Sequence, residues 1–111
     1  MDRCDCYSDE REYYIGADAK LNVSMCTNSL TMDDFDFSCE FFCNSSKKKH
    51  ISKSEMIRKD EKNYVAVFNT EDIGLGTIKC IIRAELPDSD CDDGIFNDIL
   101  VVNTGIPVRK L

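Results

Sequence analysis

Asp34-Phe35-Asp36-Phe37-Ser38-Cys39-Glu40-Phe41 places an apolar side chain at every second position, with polar groups between them. A period of two gathers the apolar groups on one face of an extended chain, so the stretch reads as a strand with one buried and one wet face. Thr77-Ile78-Lys79-Cys80-Ile81-Ile82-Arg83-Ala84-Glu85-Leu86 repeats the pattern: Ile78, Cys80, Ile82, Ala84 and Leu86 share a side, and Ile81 alone breaks the alternation. Weaker strands read at residues 12–15, 20–26, 53–59, 63–69 and 98–103, where Tyr, Val, Ile and Phe concentrate. Clusters of Asn, Asp, Ser and Gly separate them at 27–30, 44–49, 70–76 and 87–94, the 70–76 cluster reading as a short helical turn into the Ile78 strand. About seven strands with turn chemistry between them and no amphipathic helix predict an all-β chain of antiparallel sheets packed face to face.

A chain of 111 residues has room for one such core and not for two, so a single domain over residues 1–111 is expected, with residues 1–11 as an extended N-terminal arm. Its 42% hydrophobic and 32% charged residues exclude a disordered polyelectrolyte, and a net charge of −7 argues against a generic nucleic-acid binder. No apolar run approaches the ~18 residues of a membrane span, and the first twenty residues lack the apolar centre of a secretion signal. Synthesis into a cytosol is the expectation. The seven cysteines are odd in number, and Cys39 and Cys80 fall on apolar strand faces, which predicts free thiols. The competing zinc reading meets Cys4-Asp5-Cys6 and a Cys39/Cys43 spacing of four, neither of which is a CxxC loop.

Charge is segregated along the chain. Residues 1–46 carry 3 basic and 10 acidic side chains, residues 47–62 carry 7 and 3, and residues 63–111 carry 4 and 8. Lys47, Lys48, Lys49, Lys53, Arg58, Lys59 and Lys62 therefore form the one basic segment of an acidic protein. Two readings stand: a solvated turn that discourages strand pairing, or a docking surface for an acidic protein partner. Nucleic acid is disfavoured, because no aromatic groups interleave with the lysines and the overall field is repulsive.

Chemistry-bearing motifs are sparse. His50, the only histidine, sits beside the lysines and is expected to be exposed and inert. Asp88-Ser89-Asp90-Cys91-Asp92-Asp93-Gly94 offers oxygens at alternate positions, as a Ca²⁺ loop does. Its glycine falls one place late and Ile99 stands where the bidentate glutamate belongs, so both a plain polar turn and a Ca²⁺ site through Asp88, Asp90 and Asp92 remain open. Gly74-Leu75-Gly76 is an isolated GxG, there is no GxSxG, and no Cys/His pair has an informative spacing. Sequons at Asn22 and Asn44 mean little without secretion. No enzyme, cofactor or metal is expected.

The segments at 32–42, 51–58, 63–71, 76–80 and 99–106, led by the x-Asp-Phe-x-Phe strand and the Gly-bounded strand of alternating polarity, resemble small β-sandwich virion proteins of crAss-like phages that infect Bacteroides. They are also similar to the N-terminal domain of phage baseplate upper proteins. The likeness covers residues 20 to 108 and consists of strand patterns rather than catalytic signatures. It implies an immunoglobulin-like β-sandwich in the virion, assembled in the bacterial cytoplasm. The implied role is a non-enzymatic auxiliary capsid (decoration) protein, bound in many copies to the major capsid protein or other virion proteins, with no nucleic-acid or membrane partner. A host-surface or glycan-binding module, a baseplate or tail-fibre attachment domain and an intracellular adaptor are the alternatives. With no Trp and four Tyr, a sugar platform is poorly supplied.

Overall fold

The computed structural model describes residues 3–8, 10–26, 30–44 and 46–111, without the side chains of residues 3–5 and 26. The two alternating stretches become neighbours in one sheet. β4 (Asp36–Phe42) pairs antiparallel with β8 (Gly76–Pro87), setting Phe37 opposite Ala84, Cys39 opposite Ile82 and Phe41 opposite Cys80. Their apolar faces therefore coincide. β5 (Lys48–Ser52) flanks β4, and β9 (Ile95–Arg109) flanks β8. The two-residue β2 (Tyr13–Tyr14) closes the sheet, whose order is β2-β9-β8-β4-β5.

The second sheet has the order β1-β3-β7-β6, built from β1 (Arg3–Tyr7), β3 (Asp18–Cys26), β7 (Asn63–Asn69) and β6 (Ile57–Asp60). Its inner face carries Ala19, Leu21, Val23, Met25, Tyr64, Ala66 and Phe68, all buried against the first sheet. Phe41 stacks on Phe68 at 4.7 Å between centroids and 27°, and Phe37 meets Tyr64 edge-on at 5.2 Å and 89°. These are the separations at which aromatic pairs attract beyond simple burial.

The chain is all-β: among the described residues there are nine strands, three short 3-10 turns and no α-helix. Two details correct the sequence reading. Nine strands replace about seven, because β1 and β5 also form. One pairing is parallel rather than antiparallel, Tyr13 and Tyr14 running alongside Val108 and Arg109. β5 escaped notice because it buries one apolar side chain, Ile51, among Lys48, Lys49 and His50, so it shows no alternation. The strand expected at 53–59 divides into a turn, Lys53–Glu55, and the wholly exposed β6. Residues 3–7 of the expected arm pair with β3. Of the turn expected at 27–30, residues 27–29 lie outside the described residues, while the turn at 70–76 forms a 3-10 segment over Thr70–Asp72.

β9 is longer than its composition suggested, and a bulge interrupts it. Thr77 faces Pro107 but Lys79 faces Asn103, so β9 inserts two extra residues opposite Ile78. Gly105 takes φ +73 there, a left-handed conformation that L side chains rarely adopt, and Thr104 Oγ1 donates to the Ile78 carbonyl at 2.7 Å.

Truncating the core should cost what cavities cost. Phe37→Ala and Ile82→Ala remove side chains that are 3% and 0% exposed, and each should lower unfolding stability by about 2–5 kcal/mol in urea titration. Unchanged urea midpoints would contradict the shared core.

Candidate functional site

The seven basic residues fall along one lateral side of the molecule, where β5 ends one sheet and β6 ends the other. The chain passes between these edges through the Lys53–Glu55 turn, with Met56 plugging the core. Lys47 precedes β5 and reaches the Glu71 carbonyl at 3.4 Å. Successive strand residues point to opposite faces, so the Lys47-Lys48-Lys49 run is split. Lys48 shares the outer face with Glu40, 3.6 Å away, and lies 5.5 Å from the Phe42 ring centroid. Lys49 stands opposite Phe41 on the inward side and is half-buried. Lys59 and Lys62 are exposed.

Lys53 and Arg58 are tied into the fold. Lys53 Nζ donates to the Phe35 carbonyl at 2.8 Å and hangs over the Phe37 and Tyr64 rings at 5.6 and 5.8 Å. Arg58 grips Asp33 with two prongs, Nε to Oδ1 at 2.9 Å and Nη2 to Oδ2 at 2.7 Å, while the Tyr64 hydroxyl donates to the same Oδ1 at 2.5 Å. Three charge-assisted bonds converge on one carboxylate. Arg58 first, then Tyr64, holds the Asp33 carboxyl well below its ordinary range. Burial, with the Asp33 contact second, pushes the Tyr64 phenol up.

The other candidates take simpler forms. In the acidic loop, Asp88 Oδ1 accepts from the Asp90 amide at 2.9 Å and Asp93 Oδ1 from the Ile95 amide at 3.0 Å. These carboxylates brace their own loop, and among the described residues no three His, Cys, Asp or Glu side chains converge as a metal site. His50 is exposed on β5, opposite Glu40. Cys6, Cys39, Cys43, Cys80 and Cys91 are reduced, with no disulfide among the described residues; the side chains of Cys4 and Cys26 lie outside them. A hydrogen bond to Cys80 and burial raise the Cys6 thiol far above its ordinary range, which suppresses the reactive thiolate. No helix among the described residues is long and apolar enough to cross a membrane.

Sequence reasoning passed over a concavity at the N-terminal tyrosines. A half-open groove of about 690 Å³ lies over the outer face of the β1-β3-β7-β6 sheet, bounded by Ser8, Glu10 and residues 12–17. Tyr7, Tyr13 and Tyr14 all line it, as do Glu10, Lys20 and Lys59. Their spacing in the sequence gave no warning, since Tyr7 leaves from one sheet and Tyr13 and Tyr14 pair in the other. The closeness of three of the chain's four tyrosines within eight positions was the available signal.

The groove is held by a buried threonine. Thr70, the only fully buried polar residue among those described, receives the Gly16 amide on Oγ1 at 2.9 Å and donates to the Ala17 carbonyl at 2.8 Å. Gly16 has φ +96, and a Cβ there would come within 3.3 Å of Glu71 Oε1. Tyr13 is fixed by its hydroxyl, which shares a hydrogen bond with Ser8 Oγ at 2.6 Å and accepts from the Lys20 amide at 3.2 Å.

Comparison of the chain with protein-family models, with curated proteins and with solved structures found no match.

Because Asp33 is depressed in the fold, its contribution is fully present above the ordinary aspartate value of 3.8 and is lost as pH falls below it. Asp33→Asn should therefore be less stable than the parent at pH 7, and the gap should narrow steadily between about pH 4 and pH 2 in urea titrations. A gap independent of pH would contradict the Asp33–Arg58–Tyr64 assignment.

Proposed function

We propose that this chain is a non-enzymatic, immunoglobulin-like decoration protein of a tailed-phage capsid, seated on the shell through its basic side. The immunoglobulin-like reading is supported by strand order. With β1, β3, β4, β5, β6, β7, β8 and β9 lettered A, B, C, C′, D, E, F and G, the sheets read A-B-E-D and G-F-C-C′, with β2 beside G. The B–F disulfide of antibody domains has no counterpart, since inward positions of β3 hold Ala19, Leu21, Val23 and Met25. A reducing cytosol, where the resemblance places assembly, suits a core whose described cysteines form no disulfide.

The observation that carries the docking reading is the alignment of half the chain's basic residues along the β5–β6 side of an otherwise acidic body. Lys47, Lys59 and Lys62 keep their charges exposed there, while Lys53 and Arg58 fix the edges that present them. An acidic patch on the major capsid protein or another virion protein is the complementary surface. Many copies on a lattice let individually small contacts reinforce the shell through avidity. Nucleic acid and lipid play no part in this reading.

Replacing Lys47, Lys48 and Lys49 together by Ser should weaken attachment to purified shells, most clearly at low salt, because exposed charges are screened beyond about 8 Å at physiological ionic strength. The isolated variant should stay folded, since surface changes usually shift stability by less than about 0.5 kcal/mol. Equal occupancy of parent and variant at low and high salt would overturn the basic-side assignment.

A further inference from the structure

We propose that the groove beside the N-terminal tyrosines binds a neutral saccharide, a role separate from shell docking. Its volume of about 690 Å³ lies within the usual range of small-molecule sites. Charge selects the ligand class. Glu12 is neutralised by Arg109, whose Nε stands 2.6 Å from Oε2. Among the described residues that leaves Glu10 and Asp18 against Lys20 and Lys59, two lining charges of each sign. A strong cation would meet the two lysines and a strong anion the two carboxylates. A neutral molecule rich in hydroxyl groups can donate to the carboxylates and accept from the ammonium groups at once.

The aromatic component fits the same ligand: tyrosines that are too few in the sequence to suggest a sugar platform are concentrated by the fold, which brings three of the four to this groove. Tyr7 and Tyr14 are 49% and 46% exposed, so each offers ring surface to solvent, unlike Tyr13, whose hydroxyl is committed to the scaffold. A pyranose ring combines an apolar C–H face with a polar rim, matching rings that are apolar across their faces and polar at one edge. The walls are already fixed. Thr70 pins the turn at 16–17, and the Ile15 amide bonds to the Arg109 carbonyl at 2.8 Å. Such preorganisation removes part of the ordering cost that otherwise weakens the binding of a flexible polar ligand.

The test is an amide NMR titration of the full chain with maltohexaose, cellohexaose and mannohexaose as neutral probes. Sialyllactose, a chitosan hexamer and a proline-rich decapeptide serve as anionic, cationic and peptide comparators. The expected result is saturable shifts at the amides of Tyr7, Tyr14, Lys20 and Asn22 with at least one neutral probe. Tyr14→Ala and Tyr7→Ala should each weaken that binding about five- to tenfold, while Tyr14→Phe restores it and all three variants keep the parental urea midpoint. Should an alanine variant lose stability, the phenylalanine variant still reads out ring stacking. No shifts with any neutral probe, saturation only by a charged glycan or the peptide, or binding indifferent to both alanine substitutions would overturn the proposal. Loss of shell attachment without loss of saccharide binding, or the reverse, separates this site from the docking side.

Discussion

Phe41 stacked on Phe68, with Phe37 set edge-on against Tyr64, is the contact on which the rest of the molecule depends. Each pair takes one ring from each sheet. Burying an aromatic side chain removes about 150–250 Å² from water, and at roughly 25 cal/mol per Å² four such rings supply a large share of the force holding the layers together. Leu21, Met25, Met32, Ile73, Ile78 and Ile82 are fully buried around them, and the smaller Ala19, Cys39, Cys80 and Ala84 fill in between. Tyr64 also carries the packing outward, because its hydroxyl reaches Asp33 and so joins the core to the Arg58 prong on β6. Core, edge and basic side thus share one chain of contacts.

How much of this was legible in the sequence follows from how each strand is buried. β4 and β8 lie inside their sheet with one face in the core, and their period of two is plain. β7 has the bounds expected, residues 63–69. Edge strands are harder to read: β5 buries only Ile51 and shows no alternation, while β6 buries nothing and is legible only within a longer stretch, 53–59, whose first part is a turn. β9 blurs the pattern differently, since Ile99 and Val101 are apolar yet 61% and 68% exposed, while Asp98 shares the inward face with Leu100. Long-range partners such as Thr70 with Gly16, 54 positions apart, leave no local signature at all.

The candidate sites divide along the same line. The basic segment is continuous in the chain, so its composition could be read directly, but its geometry could not: alternation along β5 turns Lys48 and Lys49 to opposite faces, and Arg58 spends its charge on Asp33. The tyrosine groove is assembled from both sheets and from β1 to β7, so only the fold brings its walls together. The two surfaces adjoin at Lys59, on β6, which belongs to both. A body with one face for a lattice and another open to solvent is consistent with the proposed place on a shell.

Lysine-directed cross-linking of intact particles, followed by mass spectrometry, tests that place most directly. Docking by the β5–β6 side predicts cross-links to the shell from the exposed Lys47, Lys48, Lys59 and Lys62, with Lys110, beyond β9, left free. Cross-links confined to Lys110, or absence of the chain from purified particles, would contradict the account.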